Sequence, residues 1–125
     1  MPGERILVVE DEEVLRLLMR EVLTRAGYRV LEAKDGEEGV QVFAGRKEEI
    51  ALVISDMGLP RMPGDQVFRE LKAIDPAVRV VFSTGYIREE RTQELLEAGA
   101  REFIHKPYRV EEMLRTLRRV LDAAR

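Results

Sequence analysis

The chain has no cysteine, so neither a disulfide framework nor a thiolate metal site is available, which suits a reducing compartment. No stretch approaches the roughly 18 consecutive apolar residues of a membrane span, and the N-terminus lacks the apolar core of a signal peptide. We therefore expect a cytoplasmic protein, or a cytoplasmic domain of a longer one, with no membrane contact. A basic excess is also missing. The formal charge is −3, with 21 Lys and Arg against 24 Asp and Glu, whereas direct nucleic-acid binding usually shows as a basic domain or stripe. No repeat, linker or low-complexity run breaks the pattern. What is present is 125 residues, 45% apolar: enough for one real core, residues 1–125 as a single domain, and not enough for two.

Apolar runs alternate with helical patterns along the whole length, and the turns between them carry Gly, Pro or Asp. Strands are expected at about Arg5 to Val9, Arg29 to Ala33, Ile50 to Ser55, Val78 to Phe82 and Glu102 to His105. The third is continuously apolar to its end, as a parallel strand covered on both faces should be. After strand one, Leu15, Leu18, Met19, Val22 and Ala26 form an inward helical stripe that stops at Gly27. Asp35-Gly36 opens a shorter helix through about Ala44, with Gly45 as its stop. The third helix runs from about Asp65 to Ile74 and ends at Asp75-Pro76. The fourth spans about Glu89 to Ala98 before Gly99, and the last lines up Met113, Leu117, Val120 and Ala124. Five alternating units of this kind imply an α/β fold with a parallel sheet and helices on both faces.

Four of the strands end in residues suited to phosphoryl chemistry, and in an open parallel sheet such residues meet at one edge, outside the carboxyl ends. Glu10, Asp11 and Asp56 would bring carboxylates together there. Unpartnered, they repel and raise one another's pKa. A hard divalent cation removes that conflict, and oxygen ligands of this kind suit Mg²⁺. Asp56 sits between a buried strand and a turn, Met57 to Gly64, with two prolines and two glycines; a carboxylate there is placed to act as a nucleophile toward phosphorus. Thr84, before Gly85, offers a hydroxyl to a phosphoryl oxygen. Lys106, between strand five and Pro107, offers an ammonium to Asp56 at rest and to phosphate afterwards. Each residue alone is more commonly a turn, cap or surface residue; their joint occurrence at successive strand ends outweighs those separate readings.

With these residues the chain resembles the receiver domains of two-component response regulators over essentially its whole length. The resemblance implies a flavodoxin-like (βα)5 domain with strand order 2-1-3-4-5. It also implies Asp56 as phosphoacceptor, with Mg²⁺ held by Asp11, Asp56 and the Gly58 carbonyl, and Glu10 acting through water. Thr84 and Lys106 would complete the site, and the Lys106-Pro107 bond would be cis. Phe103 falls on the family's aromatic switch position, so phosphorylation would act through Thr84 and Phe103 on the face made by helix four, strand five and helix five. Glu10 stands where aspartate is frequent in the family. Gly58 and Tyr86 occupy positions that in the family influence how water reaches the phosphoryl group.

The expected partners are a sensor histidine kinase or a histidine phosphotransfer protein as donor, and an output domain, a downstream protein or a second copy as reader. The Ser-Thr-Gly-Tyr turn resembles receiver modules attached to sensor histidine kinases. The expected role is a signalling switch rather than an enzyme. One rival is a Mg²⁺-dependent phosphatase with an aspartyl-phosphate intermediate, but such enzymes usually carry a second aspartate where Gly58 stands. The other is a pseudo-receiver that only binds a partner, which the intact residue set argues against. His105, Tyr28 and Tyr108 are read as strand, packing and turn residues, and Arg115, Arg118, Arg119 and Arg125 as a solvated basic face.

Overall fold

The computed structural model describes residues 3–85, 89–106 and 108–123. Ala124, expected on the last helix, lies outside them, as do Tyr86, Pro107 with its expected cis bond, and Arg125. Five strands, β1 (Arg5–Val9), β2 (Arg29–Ala33), β3 (Ile50–Asp56), β4 (Val80–Thr84) and β5 (Glu102–His105), alternate with five helices: α1 (Glu13–Arg25), α2 (Gly36–Arg46), α3 (Gly64–Ile74), α4 (Glu89–Glu97) and α5 (Val110–Asp122). Every pairing is parallel, and the order is β2-β1-β3-β4-β5, as the family resemblance implies.

The period-2 alternation of strand side chains divides the core into two layers. Leu7, Val9, Val53, Val80 and Phe82 face α2, α3 and α4, through Phe43, Phe68, Leu71 and Leu95. Ile6, Val8, Leu52, Ile54 and Val81 face α1 and α5, through Met19, Leu23, Met113 and Leu117. Covered on both sides, β1 and β3 need apolar residues at nearly every position, which is why their sequences read as unbroken runs.

Several boundaries differ from the sequence reading. β4 starts and ends two residues later than expected, and β3 runs one residue further, to Asp56. The Val78 N–H bonds back to the Asp75 carbonyl in the turn after α3. At the other end, pairing of Ser83 with Asp56 and of Thr84 with His105 draws both hydroxyl residues into the ladder. Ser-Thr-Gly reads locally as a turn, but hydrogen bonding on both edges of a central strand overrides that preference. Gly45 does not stop α2, which continues to Arg46 and passes into a 3-10 turn, Lys47–Glu49; an Arg46 to Glu49 ion pair at 2.9 Å spans the junction. On α1 the inward stripe is rotated from the expected one: Leu18 is 47% exposed, whereas Leu23, outside the expected stripe, is fully buried. Gly27 does end α1, with φ at +100°, a region open to glycine and costly for other residues.

Asp35 caps α2 by accepting the Glu38 N–H at 2.8 Å, and Glu38 reaches back to accept the Lys34 N–H at 2.7 Å, a reciprocal arrangement akin to a capping box. Arg118, read as part of a solvated face, instead bonds Glu4 at 2.6 Å and Asp122 at 2.9 Å, tying α5 to the chain start. No helix among the described residues is long and apolar enough to cross a membrane.

Candidate functional site

The carboxyl edge of the sheet gathers the expected residues. Glu10 and Asp56, 3% and 6% exposed, lie at the ends of β1 and β3, and Asp11 stands exposed beside them. One carboxylate oxygen from each of the three lies within 4.8 Å of the others. Lys106, just beyond β5, sends its Nζ to within 3.2 Å of Asp56 Oδ1 and 3.3 Å of Glu10 Oε1. Its backbone N–H donates to the Thr84 carbonyl at 2.8 Å, so the lysine is hung from the end of β4.

Burial raises the pKa of Glu10; the Glu12 N–H, donated to Glu10 Oε2 at 3.1 Å, opposes this, the negative charge of Asp56 adds to it, and Lys106 works against it. Burial also disfavours the charge on Lys106, but Asp56, by charge and by hydrogen bond, together with Glu10, raises its pKa above the ordinary value. The site thus holds a lysine that stays charged beside a buried glutamate whose charge is disfavoured. Hard oxygen donors converging in this way suit a divalent ion such as Mg²⁺.

The turn after Asp56 is shaped by two close approaches. The Met62 N–H reaches the Pro60 carbonyl at 2.6 Å around Arg61, whose φ is +63°. A Cβ at Gly64 would lie 2.8 Å from the Asp56 carbonyl oxygen and from Met57 Cα, so only glycine lets α3 begin this close to the acceptor. A Cβ at Gly58 would sit 4.0 Å from Asp56 Oδ2; a longer side chain there would begin at van der Waals contact with the carboxylate. Thr84 is 3% exposed at the end of β4. Phe103 is half-buried and stacks on Phe82, with ring centroids 5.5 Å apart and planes tilted by 30°.

The structure thus brings Glu10, Asp11, Asp56 and Lys106 together, with the Thr84 backbone holding the lysine. Phe103 lies three residues before Lys106 and is packed in the α2-α3-α4 layer. His105 is exposed. Four contributors went unread. Arg16 donates to the Glu10 carbonyl at 2.8 Å. Gly64 admits the close helix start. Ser83 and Tyr108 share a hydrogen bond of 2.6 Å. A glycine opening a helix eight residues after Asp56 was a visible signal; the Ser83 and Tyr108 pair, 25 residues apart, had none.

An open parallel α/β sheet with an acidic, lysine-closed cluster at its carboxyl edge defines a class of α/β domain with a charged site outside its strand ends. Comparison with known proteins narrows the class. The family model described as "Response regulator receiver domain" matches residues 6–118. The chemotaxis protein CheY of Thermotoga maritima is 31% identical over 119 residues, covering 94% of this chain and 98% of that one. Sporulation initiation phosphotransferase F of Bacillus subtilis is 32% identical over 121 residues, covering 97% and 96%. Among solved structures, the non-phosphorylated HemR receiver domain of Leptospira biflexa superposes with a TM-score of 0.89 at 32% identity, over 100% of this chain and 98% of that one. The chain belongs to the response regulator receiver domain family of two-component signalling, whose members act as signalling switches.

Proposed function

We propose that residues 1–125 form one receiver domain that accepts a phosphoryl group on Asp56 from a phosphohistidine of a sensor histidine kinase or histidine phosphotransfer protein in the cytoplasm. The observation that carries this reading is Lys106 Nζ bridging Asp56 and Glu10 at 3.2 and 3.3 Å, beside a third carboxylate. An Asp56 oxygen attacks phosphorus; a P–O bond forms, the P–N bond breaks, and its electron pair returns to the imidazole nitrogen. Lys106 and the Thr84 hydroxyl meet the phosphoryl oxygens, and Gly58 leaves the approach to the carboxylate uncovered. Asp11, Asp56 and the Gly58 carbonyl would hold Mg²⁺, with Glu10 acting through water. Bound there, Mg²⁺ neutralises charge on the transferring group.

The product is a conformational state rather than a released compound. Thr84, drawn toward the phosphoryl group, and Phe103, repacking against Phe82, would reshape the face of α4, β5 and α5 for an output domain, a downstream protein or a second copy. A hollow of about 440 Å³ between α1 and α5, adjoining Lys106 and lined by Leu15, Leu18, Met19, Tyr108 and Val110, suits the apolar surface of a protein donor.

Incubation with acetyl phosphate and Mg²⁺, followed by intact mass, tests the reading. Wild type should gain one phosphoryl mass and Asp56→Asn none. Equal adducts on both proteins would remove Asp56 from the mechanism.

A further inference from the structure

The loop carrying Lys106 is fastened to β4 at two successive residues. Thr84 accepts the Lys106 N–H at 2.8 Å. Ser83 Oγ shares a 2.6 Å hydrogen bond with the hydroxyl of Tyr108, two residues beyond the lysine. Ser83 is wholly enclosed and pairs in register with Asp56 on one edge and Ile104 on the other. Registered residues of parallel strands face the same side, so Ser83 presents its hydroxyl on the face that Asp56 occupies, toward α1 and α5. Its own carbonyl accepts the Met57 N–H at 3.0 Å, directly after the acceptor. One residue therefore holds both the acceptor turn, through its backbone, and the lysine loop, through its side chain.

The Tyr108 ring packs against the α1-α5 core layer and lines the same hollow as the Lys106 stem. Hydrophobic packing would hold a phenylalanine ring there equally well. The hydroxyl adds direction: it fixes how far the ring enters between β4 and α5, and with it the path of the chain from which Lys106 reaches Asp56. A hydrogen bond closed inside the protein is stronger than one made in water, and an enclosed serine hydroxyl left without its partner loses that interaction outright.

We infer that Ser83 and Tyr108 are positioning residues whose shared hydrogen bond sets where the Lys106 ammonium sits over Asp56. The inference rests on the reading of Lys106 as the cation that meets the phosphoryl group. Neither residue touches the reacting atoms. The contact acts through the lysine, so its loss should alter Lys106 and phosphoryl uptake while leaving the acidic cation site as it was.

The test uses Tyr108→Phe, Ser83→Ala and the double variant, each of which removes hydroxyl oxygen and adds no bulk. The ε-methylene NMR signal of Lys106, identified by its loss in Lys106→Arg, reads the position of the lysine in the resting protein. Adduct formation from acetyl phosphate reads the consequence, and Mg²⁺ titration serves as the control. The Lys106 signal should move in both single variants, and adduct formation should slow by about three- to tenfold, the worth of one hydrogen bond. The double variant should lose no more than either single one, because both delete the same contact. Mg²⁺ affinity should stay within about twofold, since the carboxylates that would hold the ion are untouched. An unmoved Lys106 signal, with or without slower uptake, overturns the inference, as do losses that add in the double variant. If wild type takes no phosphoryl group while the signal still moves in Tyr108→Phe, the acceptor reading of Asp56 falls and the positioning contact stands.

Discussion

Replacing Lys106 with methionine keeps a flexible apolar stem and deletes the ammonium that faces Glu10 and Asp56. At an effective dielectric of about 20, a unit charge pair at the observed separations attracts by roughly 5 kcal/mol, so the two contacts amount to about 10 kcal/mol gross. Much of this is offset by the lost hydration of the lysine, and in the variant Glu10 can escape by taking up a proton. Removing one partner of a buried pair costs about 3–5 kcal/mol. Asp11 is exposed and Lys106 is one-fifth exposed, which puts the expected net loss near the bottom of that range, about 3 kcal/mol, at neutral pH, low salt and no Mg²⁺. For a domain of this size that is a fall in Tm of about 10 °C.

The pH dependence separates this cause from lost packing. Glu10 has its pKa raised above 4.5 by burial, with Asp56 adding to it. As pH falls through that raised value Glu10 becomes neutral, the repulsion left in Lys106→Met fades, and the gap from wild type should narrow toward pH 4.5. On the alkaline side, the pKa of Lys106 is raised above 10.5. Its contribution to wild type is full below 10.5 and is lost only as pH rises through the higher folded value. Mg²⁺ should stabilise the variant more than wild type by replacing the missing positive charge. Thermal unfolding followed by circular dichroism, across pH and with or without Mg²⁺, reads all of this. A variant as stable as wild type at neutral pH, or a loss that does not change with pH, would refute the electrostatic reasoning.

Glu10→Gln keeps an oxygen for the Glu12 N–H and removes a charge that burial penalises, so the variant should be more stable than wild type at neutral pH. The difference should vanish as pH falls below 4.5, where both states of the wild type hold the proton; Mg²⁺ affinity should drop roughly tenfold by titration. Leu18→Glu, on an exposed position of α1, should change stability by no more than about 0.5 kcal/mol. It should slow phosphoryl uptake from a phosphohistidine protein while leaving uptake from acetyl phosphate unaltered, which places the effect on donor docking. Asp35→Ala removes the α2 cap and should cost about 1 kcal/mol in urea unfolding, with phosphoryl uptake unchanged.

Much of the site was legible because its chemistry sits where apolar runs stop. Glu10 and Asp11 follow, and Asp56 ends, strands too apolar to lie anywhere but inside, so their meeting at one edge followed from the sheet. The α1 stripe was harder. Val14, Leu15, Leu17, Leu18, Met19, Val22 and Leu23 crowd most of that helix with apolar residues, and periodicity alone cannot choose which subset turns inward. The packing against the sheet selects Met19 and Leu23 and leaves Val14, Leu17 and Leu18 facing outward; of these, Leu18 lines the hollow beside Lys106. Arg118 looked like one of several surface cations, since Glu4 is 114 residues away in the chain.

By itself, then, the order of residues determined the alternation of strands and helices, the two-faced burial of β3, and the types of chemical group at the strand ends. These depend on period, run length and local punctuation, which are properties of neighbouring residues. Only the tertiary structure decided that Ser83 and Thr84 belong to β4, that Leu23 rather than Leu18 is core, and that Ser83 meets Tyr108. Those outcomes depend on which strands pair in which register and on how helices seat across the sheet. Hydrogen bonds and contacts between residues far apart in the chain set them, and no local pattern encodes such distances.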